Sequence, residues 1–326
     1  MKFSEHRDGK GFRNPDDSPP QSAGLAEFVP FFWRRLRESS RKPVLPQGHA
    51  VPLVEALEAF ERLTGRDTIT WLGHASFLIR LAGRTILTDP YLSDFAGPFP
   101  GLGPRRFVPA GIPVDRLPPV DALLVSHNHY DHLDRRTLRA LAGKEETTAF
   151  VPLGLGSLLR QDGFAKVQEM DWDDAITLDG LTIRALPALH FSSRTPFDRN
   201  QTLWCSFAIV AGSRRLFFSG DTGYGPVFER VGREYGPFDV AMVPIGAYEP
   251  ETIMRPVHCN PEEAVRLGKQ IGARALAAMH WGTVVLTDEP PFEPPVRFRA
   301  AAREAGYADE DIWILRIGET RLLSGE

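Results

Sequence analysis

One nonapeptide constrains this chain more than any other stretch: Ser126-His127-Asn128-His129-Tyr130-Asp131-His132-Leu133-Asp134. Three histidines and two carboxylates within nine residues are too many titratable groups for an ordinary loop. The apolar run Asp121-Ala122-Leu123-Leu124-Val125 before them has the length of a strand, and a helical pattern follows over 138–141. The spacing therefore puts His-x-His-x-Asp-His on a strand-to-helix loop, where side chains converge on one point. Imidazole and carboxylate together suit zinc and its neighbours among the divalent cations.

One loop does not complete two coordination spheres, so further ligands are expected where other strands end. His190 follows Ile183-Arg184-Ala185-Leu186-Pro187-Ala188-Leu189, Asp221 follows Leu216-Phe217-Phe218-Ser219-Gly220, and His280 follows Leu276-Ala277-Ala278-Met279. Each is a ligand-capable residue directly after an apolar run, and loops at one sheet edge commonly build a site. With the first loop they fit a dinuclear centre.

Two cysteines, Cys205 and Cys259, stand far apart and in no C-x-x-C pair. They read as small buried hydrophobes in a reducing compartment, not as thiolate ligands. A net charge of -4 with no appended basic segment argues against a nucleic-acid binder. Residues 1–17 lack the apolar core of a secretory signal, and no run of 18 apolar residues occurs. The expected location is cytoplasmic, with at most peripheral contact with the inner face of a membrane.

Two regions are expected: residues 1–65, an arm with a short helix that is a candidate membrane-facing part, and residues 66–326, the main domain. The arm carries Phe28, Phe31, Phe32 and Trp33 followed by Arg34, Arg35 and Arg37. These either form an interfacial anchor, with rings towards lipid and cations towards headgroups, or pack against the main domain. A second aromatic and basic stretch, Phe95, Phe99, Leu102, Arg105, Arg106 and Phe107, lies in the Pro/Gly-rich loop 90–119, whose length marks it as functional or lid-like. Strands are expected over 68–72, 77–81, 84–88, 149–151, 175–178, 181–186, 206–211, 214–219, 240–245 and 275–279. Helices are expected over 53–63 and after Asn260, which stands as N-cap before Pro261, Glu262 and Glu263, with Gly272 as the stop. Strands outnumber interspersed helices, which implies an α/β or α+β sandwich of sheets covered by helices.

The H-x-H-x-D-H set, with its later His, Asp and His, resembles the metallo-β-lactamase superfamily. The segments Thr70-Trp71-Leu72-Gly73-His74-Ala75-Ser76, Gly246-Ala247-Tyr248-Glu249-Pro250 and His280-Trp281-Gly282-Thr283 are similar to its N-acylphosphatidylethanolamine-hydrolysing phospholipase D branch, and the resemblance spans roughly residues 68–323. It implies a four-layer αββα sandwich holding two Zn2+ per chain. One ion would be held by His127, His129 and His190, the other by Asp131, His132 and His280, with Asp221 bridging. Metal-activated water is the implied nucleophile, with Asp131, Asp221 and His258 as the catalytic residues. His258 would assist the leaving group or hold the phosphate. Asp89, after the strand over 84–88, is the candidate for orienting a ligand histidine. His74 is read as a loop histidine packed near the site, outside the catalytic set, and His6 and His49 are assigned no chemistry.

The implied activity is cleavage of an N-acylphosphatidylethanolamine-type phospholipid to phosphatidic acid and an N-acylethanolamine. A lactonase or other small-substrate hydrolase on the same dinuclear site is the first alternative. A non-catalytic metal- or lipid-binding protein is the second. The expected partners are thus a phospholipid or another phosphodiester, and no nucleic acid. The oligomeric state is undetermined, a homodimer being allowed.

Overall fold

A computed structural model describes residues 6–9, 11–20, 24–38 and 42–323. Two seven-stranded mixed sheets lie face to face. In chain order the elements are β1 (Arg7–Asp8), β2 (Gly11–Phe12), α1 (Leu25–Glu38), α2 (Leu53–Arg62), β3 (Thr68–Gly73), β4 (Ser76–Leu81), β5 (Arg84–Thr88), β6 (Ala122–Leu124), α3 (Arg135–Ala140), β7 (Thr148–Pro152), α4 (Gly156–Gln161) and β8 (Lys166–Met170). They continue with β9 (Ala175–Leu178), β10 (Leu181–Leu186), β11 (Ser206–Ala211), β12 (Arg214–Phe218), α5 (Val227–Tyr235), β13 (Phe238–Pro244), α6 (Glu251–Met254), α7 (Pro261–Gln270), β14 (Ala273–Met279), α8 (Pro294–Glu304), β15 (Ile312–Trp313) and β16 (Thr320–Leu322). One sheet runs β16-β3-β4-β5-β6-β7-β8, the other β15-β14-β13-β12-β11-β10-β9.

Alternation along each strand builds two cores. In the first sheet Phe77, Ile79, Ile86 and Leu124 join the cluster between the sheets, which includes Ile183, Phe207 and Phe218. Their neighbours Leu78, Leu87, Leu123 and Val125 point the other way and meet Phe60 of α2, Leu138 of α3 and Leu159 of α4. Both faces of that sheet are therefore covered, which is why β3 is buried at every position. The result is the αββα sandwich expected from the sequence.

Strand direction decides where the site lies. β5, β6 and β7 are parallel, as are β12, β13 and β14. β10 is antiparallel to β11, and β11 to β12, so β10 and β12 run the same way. The carboxyl ends of these strands reach one edge, where open α/β sheets bind ligands. β4 is antiparallel to β5, with Phe77 opposite Thr88, so the β3–β4 turn reaches that edge too.

Residues 6–9 and 11–20 lie on the sandwich, with Phe12 buried and its N–H donating to Asn200 O. Residues 25–38, read from sequence only as an arm, form helix α1 despite an internal Pro30. A proline there removes one helical hydrogen bond, so local preference alone argued against it. The loop 90–119 has one 3-10 turn, at Val114–Arg116, and no longer helix among its residues. Its Arg106, part of the second aromatic and basic stretch, is turned inward. The guanidinium is buried and bonds the carbonyls of Tyr91, Leu72 and Val108, so it braces the loop from inside. No helix among the described residues is long and apolar enough to cross a membrane.

Candidate metal centre

The loop after β6 delivers His127, His129, Asp131 and His132. His190 comes from the segment after β10, Asp221 from the loop after β12, and His280 from the residue after β14. All seven meet at the shared sheet edge. His127 Nε2 and His190 Nε2 lie 2.9 and 3.2 Å from His129 Nδ1. Beside this triad, Asp131 Oδ2 lies 3.6 Å from both His132 Nε2 and His280 Nε2. Asp221 Oδ2 stands between the clusters, 3.1 Å from His132 Nε2, 3.0 Å from His280 Nε2 and 3.9 Å from His190 Nε2.

Surrounding groups fix which nitrogen each ring presents. Asp89 Oδ2 accepts from His132 Nδ1 at 2.7 Å. The same carboxylate takes the Ser126 N–H at 2.7 Å and its hydroxyl at 2.5 Å. That hydroxyl in turn accepts from His127 Nδ1 at 2.9 Å. Val257 O accepts from His190 Nδ1 at 2.8 Å. With Nδ1 donating in each ring, Nε2 is the nitrogen that His127, His132 and His190 point into the centre. Asp89 therefore sits behind two of the predicted ligands, one directly and one through Ser126.

These groups fit a cation better than they fit one another. His132 Nε2, His280 Nε2, Asp221 Oδ1 and His258 Nδ1 are buried, and none has a hydrogen-bond partner in acceptable geometry. Buried polar atoms are nearly always partnered. Charge agrees. Burial opposes ionisation of His132 and His280, yet the Asp221 and Asp131 carboxylates hold the first well above its usual range and push the second up to about 9. Burial drives the opposite shift at His127 and His190, well below the usual range, aided by neighbouring imidazoles. Burial also takes His129 down to about 4. Burial resists ionisation of Asp131 and Asp221, but the His132 charge keeps both well below the usual carboxylate range. Neutral imidazoles and ionised carboxylates are the ligating forms, and the excess positive charge the site demands is what divalent ions bring.

His258 lies beside this set, its Nδ1 3.9 Å from Asp221 Oδ2, and burial lowers its pKa to about 4. A cavity of about 760 Å³ is lined by His258, His129, Asp131 and Asp221 and also by Phe28, Phe31, Phe32, Phe191, Met254 and Leu286. Helix α1 is thus one wall of the cavity. Arg34 and Arg35 hold it there through Asp288, at 2.6 and 2.8 Å. Phe31 is buried, while Phe28, Phe32 and Trp33 are about half exposed.

Sequence reasoning missed three contributors. His74, set aside as loop packing, has its Nε2 2.9 Å from Asp131 Oδ2. Asn14 pairs with the His190 backbone in both directions, at 2.9 and 3.1 Å. Arg194 stacks on Tyr130 at 3.9 Å and donates to Asn128 O and Leu133 O, at 2.6 and 2.9 Å, clamping the metal loop. Of these only His74 carried a local signal, a histidine in a quoted motif; the others act across more than 60 residues of chain. His6 and His49 are buried elsewhere, against Asp171 and Gly282 O, and both cysteines are buried and unpaired.

Residues 84–281 match the β-lactamase superfamily domain. The chain is 39% identical over 303 residues to an uncharacterised protein of Mycobacterium tuberculosis, covering 91% of this chain and 79% of that one. It is 36% identical over 325 residues to an N-acyl-phosphatidylethanolamine-hydrolyzing phospholipase D of Caenorhabditis elegans, covering 94% and 89%. Among solved structures, the metallo hydrolase Igni18 of Ignicoccus hospitalis superposes with a TM-score of 0.60 at 21% identity, covering 80% of this chain and 99% of that one. With two facing sheets, a histidine and aspartate cluster at their common edge and these relatives, the chain belongs to the metallo-β-lactamase superfamily and is a metal-dependent hydrolase of that fold.

Proposed function

We propose that the protein is a dinuclear zinc phosphodiesterase that hydrolyses N-acylphosphatidylethanolamine-type phospholipids to phosphatidic acid and an N-acylethanolamine. The observation that carries this reading is the cavity, which joins the polar centre to an aromatic wall that a small polar substrate would not need. Each buried methylene contributes about 0.8 kcal/mol, so an acyl chain gains from that wall what a water-soluble ester could not. The name borne by the nematode relative supports the same substrate class.

One ion would be held by His127, His129 and His190, the other by Asp131, His132 and His280, with Asp221 shared. Ions in these positions supply Lewis acidity towards a phosphoryl oxygen and bring the pKa of water towards neutrality. Asp89 holds His132 and, through Ser126, His127 in the tautomers that face the centre. His258, neutral and beside Asp221, has one ring N–H to offer a phosphoryl or leaving oxygen. Hydrolysis would form a bond from a water oxygen to phosphorus and break the bond between phosphorus and the ethanolamine oxygen of the N-acylethanolamine, which leaves with one of the water's protons while the hydroxyl stays on the phosphate. The region 1–65 is the membrane-facing part of this scheme, with α1 presenting Phe28, Phe32 and Trp33 to the bilayer. The resulting location is cytoplasmic and peripheral.

The test is a comparison of metal-loaded protein on an N-acylated phospholipid in vesicles, a short-chain soluble phosphodiester and a small lactone, each with and without chelator. Faster, chelator-sensitive turnover of the vesicle substrate is expected. Equal rates on the lipid and the soluble diester would remove the lipid specificity. Preference for the lactone would favour the small-substrate hydrolase, and no turnover of any substrate the non-catalytic alternative.

A further inference from the structure

His74 joins three of the four groups that surround one of the two cation positions. Its Nε2 lies 2.9 Å from Asp131 Oδ2. A carboxylate oxygen can only accept, so the hydrogen is on His74 Nε2. Its ring lies tilted against that of His280, at 4.0 Å between centroids, and 5.3 Å from that of His132. Its carbonyl accepts the His280 N–H at 3.0 Å. That last bond crosses between the sheets: His74 belongs to the turn after β3, His280 to the end of β14 in the opposite sheet.

The backbone at His74 is held in a conformation that histidine adopts at a cost. Its φ is +54°, a left-handed value unfavourable by roughly 1–2 kcal/mol for a residue with a side chain. Three anchors retain it. The His74 N–H donates to Thr283 Oγ1 at 2.8 Å, and its carbonyl accepts from Trp71 Nε1 at 2.9 Å as well as from His280. Strain maintained by surrounding contacts points to a constraint beyond packing. Here it aims the imidazole at Asp131.

We propose that His74 is a positioning residue for the second cation: its N–H fixes the Asp131 carboxylate while its carbonyl fixes the His280 backbone. This rests on the reading that Asp131, His132, Asp221 and His280 surround that cation. Hydrogen bonds that orient a ligating group typically change metal affinity by about 10- to 100-fold when removed. Glutamine places its amide nitrogen as many bonds from Cβ as histidine places Nε2, and asparagine one bond fewer. His74→Asn keeps a residue that tolerates the left-handed backbone but falls short of Asp131, whereas His74→Gln can restore the donor.

The experiment measures Zn2+ binding to metal-free full-length wild type, His74→Asn and His74→Gln by competition with a chromophoric chelator, with zinc counted by elemental analysis. Melting of each metal-free protein checks that the fold is intact. The expected result is a wild type with two sites, a His74→Asn protein in which one site is weakened by about 10- to 100-fold and the other unchanged, and recovery of most of that loss in His74→Gln. Two wild-type-like sites in both variants overturn the inference. So does a His74→Gln protein as weak as His74→Asn, because donation to Asp131 would then not be what His74 provides. A wild type that binds no zinc overturns the metal reading itself and the inference with it, and differs from the other outcomes in being a property of the unsubstituted chain.

Discussion

Asp221 is the residue on which both clusters depend, because one of its oxygens faces nitrogen atoms from each, at 3.0 to 3.9 Å. A carboxylate has two oxygens and can span two cations, and the second oxygen, Oδ1, is buried without a hydrogen-bond partner. Asp221→Ala is therefore expected to lower metal content at both positions, from about two ions per chain to below one. Elemental analysis showing a single, cleanly retained ion would mean that Asp221 belongs to one sphere only. His258 is a different case. It faces the cavity, lies 3.9 Å from Asp221 and groups with Asp221 and His190, but not with His127 and His129 or with Asp131, His132 and His280. His258→Ala should reduce turnover about 100-fold or more, the scale of a positioned proton donor or acceptor, with both ions kept. Unchanged turnover in a fully loaded variant would leave it a wall residue.

At the scale of the element, helix α7 shows how local chemistry is reinforced by tertiary position. Asn260 accepts the Glu263 N–H at 2.8 Å, while Glu263 Oε2 takes the Asn260 N–H at 3.3 Å, a reciprocal capping box. Because Glu263 is buried, water cannot fully replace the cap. Asn260→Ala is expected to lower stability by about 1 kcal/mol, read as a shift of the denaturant midpoint at constant slope. A variant as stable as wild type would show that tertiary packing alone holds the helix start. Helix α1 is the opposite kind of element. Its exposed Phe28, Phe32 and Trp33 give it little reason to fold by itself, and its place is set by buried Phe31 and by Arg34 and Arg35 against Asp288. Replacing Phe31, Phe32 and Trp33 together with Ser should weaken vesicle binding and lipid turnover in parallel, leaving a soluble diester unaffected. Loss of soluble-diester turnover to the same degree would assign α1 to the integrity of the site.

For the molecule as a whole, the metal centre is the seam between the two sheets. Asp89 and the loop with His127, His129, Asp131 and His132 extend from the first, His190, Asp221 and His280 from the second. Ions bound there would stabilise the folded state by mass action, about 2.7 kcal/mol per site at 100 times the dissociation constant. Chelation should therefore lower the melting temperature, and added zinc should restore it. A melting temperature indifferent to both would be incompatible with ions bridging the seam.

What a reader of the sequence could determine follows from short-range chemistry. The three histidines and Asp131 lie within six residues, and the strand-to-helix loop that carries them is visible as an apolar run followed by polar ligand types. His190, Asp221 and His280 are legible because each ends a strand-like run. Strands β5, β9, β10 and β11 match their expected bounds because alternation has a period of two and sharp turn residues flank it. The contacts that only tertiary structure decided are those made across the chain. Asn14 against His190, Arg194 on the metal loop and Asp288 on α1 join residues more than 60 positions apart, and no local pattern encodes such a partner. Helix α1 escaped for a related reason: Pro30 and a run of aromatics read as irregular until Phe31 has a cavity to enter. His74 shows the division within one residue. Its motif is written in the chain, but its bond to Asp131 exists only because β3–β4 and β6 end at the same edge, as strand direction in the folded sheet dictates.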